Sequence, residues 1–141
     1  MEEKLLSIWC ESIDELALKC TTEVSGSARA RMCVLRQLCE LVDLAPPVVA
    51  ARFKPVDPDR IETLIEHDAF EQLVIELCTG VGFMTSRASS GESYATIGIA
   101  DTGIERHFSH ESSMALALSG AVALAMLDLH LLEAKGRSAS H

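Results

Sequence analysis

The sequence predicts an α+β fold: an N-terminal helical subdomain, then a helix, an antiparallel β-meander of two or three strands, and a long C-terminal packing helix. Three observations carry this. Apolar residues recur at helical steps as far as Leu77. From Gly82 to Ala100 the period changes to alternation, interrupted by Ser89-Ser90-Gly91-Glu92. From Met114 to Leu127 no charged residue occurs, a stretch that must be buried on most of its sides.

Taken in order, the first helix is predicted over 2–20, with Leu5, Trp9, Ile13, Leu16 and Cys20 on one face. Thr21 to Gly26 is a polar break. A second helix follows from Ala28 to Asp43, capped by Ser27, with Met32, Leu35, Leu38, Cys39 and Val42 turned inward. Pro46 and Pro47 stop that helix but fit a first turn, so 46–53 is read as a short third helix.

Asp57 before Pro58 caps the next helix, which covers 58–78 in two pieces. The break near His67 is marked by a capping box of Asp68 and Glu71. Thr79-Gly80 ends it. The hairpin comes next, then the turn Asp101-Thr102-Gly103 and a short third strand through Ile104, Arg106 and Phe108. Ser109 is expected to cap the last helix, running from about His110 to Lys135 and stopped by Gly136. Its small residues Ser113, Ala117, Ala121 and Ala125, with Gly120 alongside, form a ridge that lets a neighbour approach closely. The reading divides the chain into a helical subdomain at 1–54, a domain at 58–136 and a disordered tail at 137–141.

The chain of 141 residues has a net charge of −9, and beyond residue 60 eleven acids face four bases. A field of that sign disfavours direct nucleic-acid binding and favours a basic partner. Five cysteines, an odd number and none in a two-residue gap, read as buried thiols of a reducing cytoplasm. Met1-Glu2-Glu3-Lys4 is not the basic start of an export signal. The apolar run before Asp128 is shorter than a bilayer requires, so no membrane span is expected.

Three constellations bear on chemistry. Asp101, Glu105, His107, His110 and Glu111 bracket a strand-to-helix junction, where His107 and His110 would be the metal-ligand candidates. Solvated junction residues near a helix start explain them more simply. The serines from Ser86 to Ser93 have neither base nor orienting partner in any recognisable pattern, and turn chemistry accounts for them. No catalytic residue, metal or cofactor is therefore assigned. The exposed acids Glu62, Glu66, Asp68, Glu71 and Glu76 are the partner-binding candidates, as a negative strip matched to a basic groove.

Two resemblances accompany this reading. Residues 35–53, from Leu35-Arg36-Gln37-Leu38-Cys39 to Ala50-Ala51-Arg52-Phe53, resemble a helix-turn-helix, with Cys39 where the helices touch and Leu44 after the turn. That implies a transcriptional regulator reaching phosphates with Arg36, Arg52 and Lys54. However, Asp43 stands where glycine is usual, and Pro46, Pro47, Val48 and Ala50 occupy the base-reading positions. Residues 61–132 resemble a small phage α–β–α sandwich domain in the order Cys78-Thr79-Gly80, Gly82-Phe83-Met84-Thr85, Ala95-Thr96-Ile97-Gly98-Ile99 and His110-Glu111-Ser112-Ser113. That resemblance implies phage or mobile-element ancestry and no catalytic residues.

The functional expectation is a non-enzymatic acidic binding protein. It would inhibit a host defence in the manner of an anti-CRISPR protein, or a nucleic-acid-handling complex, by covering a basic surface. A homodimer through the 110–135 helix is the expected assembly.

Overall fold

A computed structural model describes residues 2–22 and 27–139, with side chains over 3–21 and 27–136. Six helices and one three-stranded sheet follow the order α1 (Glu2–Thr22), α2 (Ala28–Asp43), α3 (Pro47–Ala50), α4 (Pro58–Glu66), α5 (Phe70–Leu77), β1 (Gly82–Arg87), β2 (Ser93–Ile99), β3 (Ile104–His110) and α6 (Met114–Ala139). The fold is α+β, as the change of period requires.

α6 is the organising element. It packs on β2 and β3 with one face and on α1, α2, α3 and α5 with the other. Such a helix has no side for charge, which is why Met114 to Leu127 carries none. Leu116, Leu118, Val122 and Met126 are fully buried, within one apolar cluster that runs from Trp9 to Leu129. The helical segment and the meander therefore share a core across 55–57. By length and composition Met114–Gly136 could also cross a membrane, but 67% of its apolar window is buried inside the protein.

The small-residue ridge is used within the chain. Ser113, Ala117, Ala121 and Ala125 are at most 5% exposed, and Gly120 lies against the ring of Phe108 on β3. The neighbour that the ridge admits is the sheet, and little of α6 over 114–126 is left exposed.

The sheet is an antiparallel meander in the order β1-β2-β3, registered as Met84↔Thr96↔His107 and Phe83↔Ile97↔Arg106. Ala95, Ile97 and Ile99 point at α6, and Tyr94, Glu105 and His107 point away. Arg106 on the inner face ends on Asp128 of α6, with Nε and Nη2 donating at 2.5 and 3.0 Å. β3 is longer than the short strand expected.

Several local expectations are replaced. α1 extends through Thr22, while 23–26 of the expected break lie outside the described residues. On its predicted stripe Trp9, Ile13, Leu16 and Cys20 are buried, but Leu5 is 62% exposed near the helix start. Cys33 is likewise exposed, on the outer side of α2. α3 stops at Ala50 instead of reaching Phe53.

The α4–α5 break is not a capping box. Asp68 has φ +54, its N–H donates to the Ile65 carbonyl at 3.1 Å, and the Ala69 N–H donates to the Leu64 carbonyl at 2.8 Å. That pair of bonds is a Schellman stop with aspartate in the left-handed position usually held by glycine.

Ser109 pairs with Tyr94 inside the sheet, and the cap of α6 is Ser113, whose Oγ accepts from the Leu116 N–H at 3.1 Å. Gly136 does not end α6, which continues to Ala139. A single glycine costs a helix only about 1 kcal/mol relative to alanine. Of the tail expected to be disordered, 137–139 are thus helical and 140–141 lie outside the described residues.

Candidate functional site

The five acids singled out in the sequence gather on α4 and α5 but are not equivalent. Glu62 accepts from both terminal guanidinium nitrogens of Arg36, at 2.6 and 2.8 Å, tying α4 to α2. That hydrogen-bonded pair holds the Glu62 carboxyl below its usual range, with a smaller desolvation effect opposing it. Glu76 receives Arg60 Nη2 at 2.8 Å and Gln72 Nε2 at 3.2 Å, bracing α5 against α4. The Arg60 bonds lower its carboxyl in the same way. Each of these acids is already neutralised by a neighbour.

The middle of the strip remains. Glu66, Asp68 and Glu71 are exposed and form no salt bridge among the described residues. The Schellman corner turns the chain between Glu66 and Phe70, and the three exposed acids sit on or beside it. Asp68 and Glu71 border a recess of about 200 Å³ that Arg31, Arg87 and Ser112 also line. Arg31 lies over the Phe70 ring at 5.0 Å. The strip is thus three free carboxylates with arginines on one flank, not an unbroken negative face.

The cations proposed for DNA are less available than their sequence suggests. Arg36 is held by Glu62. Val49 and Phe53 are fully buried, which anchors the corner, but α3 has only four residues. A recognition helix lies along the groove and offers several side chains to base edges; one turn with Pro47, Val48 and Ala50 offers none of the usual readers. Arg52 is half-buried and Lys54 exposed. Their backbone serves packing: the Arg52 carbonyl abuts Gly80, and the Lys54 N–H donates to the Leu77 carbonyl at 3.1 Å.

His107 and His110 do not converge. Three residues apart on an extended strand, they point to opposite faces of β3. His107 is exposed, with Nδ1 2.9 Å from Thr96 Oγ1 and Nε2 3.6 Å from Glu105 Oε2. His110 is buried, and its Nδ1 accepts from the Ser112 and Ser113 N–H groups at 3.1 and 2.9 Å. A ring nitrogen that accepts twice carries no proton, so the proton is on Nε2. His110 therefore stabilises the turn into α6. Among the described residues no three His, Cys, Asp or Glu side chains are grouped to hold a metal.

Two surface features escaped sequence reasoning. Leu5, Leu6, Pro46, Pro47, His130 and Glu133 line a groove of about 320 Å³, where His130 also meets the Trp9 ring edge-on at 5.9 Å. Leu6, an apolar residue beside Leu5 and off the predicted stripe, was its only signal. The second is β1, every residue of which is exposed; an alternating strand gives no sign in sequence that a helix fails to cover it. Compared with protein-family models, characterised proteins and solved structures, the chain matches none.

Proposed function

We propose that this protein is a non-enzymatic binding protein that docks onto a partner protein with a basic surface. Glu66, Asp68 and Glu71 supply the contact, and Glu62 and Glu76 hold the two helices in place beneath them. The observation that carries the reading is the partition of the strip: paired acids at either end, three unpaired ones at the bend. A fixed corner costs the backbone little freedom on docking, and unpaired carboxylates steer a cationic surface over a long range. With a net charge of −9, the chain fits an occluding inhibitor of a host defence complex, as a phage or mobile element would deploy, or of a nucleic-acid-handling machine. In such a role its acids stand in for phosphates.

The test is capture from cells with the parent and with Glu66→Lys/Glu71→Lys, Glu62 and Glu76 being left intact so that the corner keeps its braces. The double variant is expected to fold normally and to lose a basic protein that the parent retains at low salt. Equal recovery of that protein by both would refute the reading.

A further inference from the structure

We infer that β1 is a self-association edge: two copies pair antiparallel through Phe83–Arg87 about a two-fold axis at Thr85, making one six-stranded sheet. All six residues of β1 are exposed, and only β2 borders it, along an uninterrupted register from Gly82↔Gly98 to Arg87↔Ser93. Beyond β2, no backbone group of 82–87 bonds to another backbone group among the described residues. α6 packs on β2 and β3 and leaves the inner face of β1 largely bare. Phe83 is accordingly 38% exposed on that face and Met84 74% exposed on the other.

Natural sheets blunt such an edge with charge, proline, a bulge or a covering segment. The other edge shows these devices: β3 carries Glu105, Arg106 and His107, and α1 lies against it. β1 shows none before its last residue. This open edge is a template for another strand.

A second copy is the occupant that the charge and the register favour. At −9 each, two copies repel unless they meet where acids are missing. No acid occurs between Glu76 and Glu92, and β1 lies in the middle of that stretch. A two-fold axis normal to a sheet brings together residues of the same face, so it must pass through a single residue. Placed at Thr85, it sets Met84 opposite Ser86 of the other copy on the outer face. On the inner face it sets Phe83 opposite Arg87, a ring under a guanidinium. The two Arg87 side chains then lie at opposite ends of the pair and do not confront each other. The proposal does not rest on the acidic strip, although Arg87 at the end of β1 lines the same recess as Asp68 and Glu71.

Sedimentation equilibrium at tens of micromolar is expected to give twice the chain mass of 15.3 kDa for the parent. Thr85→Lys and, separately, Met84→Lys should halve it with unchanged circular dichroism, because both side chains are exposed. In a Cys33→Ser background, Thr85→Cys should form a covalent dimer on mild oxidation and Ser86→Cys should not. A monomeric parent, or a dimer that survives both lysine variants, would overturn the proposal. Cross-linking through Ser86→Cys and not Thr85→Cys would overturn it too.

Discussion

The ring of Phe108 lies against Gly120: a Cβ built on that glycine would come within 2.5 Å of Cδ2 and Cε2. The helix backbone meets the strand there through that ring alone, with no helix side chain between them. Gly120→Ala is expected to lower stability by about 1–3 kcal/mol through overpacking, although alanine is the better helix former. Urea unfolding measures it. Phe108→Leu in the same chain should recover part of the loss, because a leucine there clears the space a ring occupies; no recovery would show that the contact is not the cause.

His110 satisfies two backbone donors at the entrance to α6. Its replacement by alanine leaves the buried Ser113 N–H without that acceptor, a cost of about 1–3 kcal/mol, whereas the exposed Ser112 N–H can turn to water. Asparagine, whose side-chain oxygen can accept, should restore part of it. If His110→Ala and His110→Asn unfold at the same denaturant concentration, the hydrogen bonds contribute nothing.

The thiols divide by burial. Desolvation pushes Cys20, Cys39 and Cys78 up to about 12 from an ordinary 9.0. Their folded values are raised, so the stability they contribute is fully present below pH 9 and is lost as pH rises from 9 toward 12. Alkaline unfolding should therefore begin in that window and move upward in Cys20→Ala. At neutral pH, Cys33, which is exposed, should be the first to react with an aromatic disulfide, and these three should react only on unfolding.

At the acid end the sign is opposite. Arg36 and Arg60 depress Glu62 and Glu76 below an ordinary 4.5. The stability that these pairs contribute is present above pH 4.5 and fades as pH falls through the lowered values. Arg36→Gln should flatten the acid limb of a stability–pH curve while leaving its alkaline limb in place. A change confined to the alkaline limb would contradict the assignment.

Asp68 holds a positive φ that glycine adopts without strain. Asp68→Gly is expected to be neutral or stabilising by a few tenths to about 1 kcal/mol, and Asp68→Val clearly destabilising. Thermal melts of the two variants would separate this from a simple loss of charge, which both share.

These residues also show what sequence could reveal. Ser27 and Asp57 cap the helices they were expected to cap, because a side-chain oxygen before a periodic run has few other roles. The meander was legible from alternation and from its glycine turns. Ser113 was missed in favour of Ser109 because the extent of a strand is set by its partner: pairing with β2 carries β3 on to His110. Asp68 read as a cap for the following helix when it closes the preceding one. The acidic strip was legible as composition, whereas its division into paired and unpaired acids depends on Arg36 lying 26 residues from Glu62.

Because α6 lies between the sheet and the other helices, everything before it must wait. A nascent chain that has emerged only as far as His110 holds two unfinished half-cores, each with its apolar face open, and nothing to close them. Both half-cores can close only once residues 114–129 are free to pack against them. A chain stalled ahead of that segment would keep both apolar faces open to a chaperone.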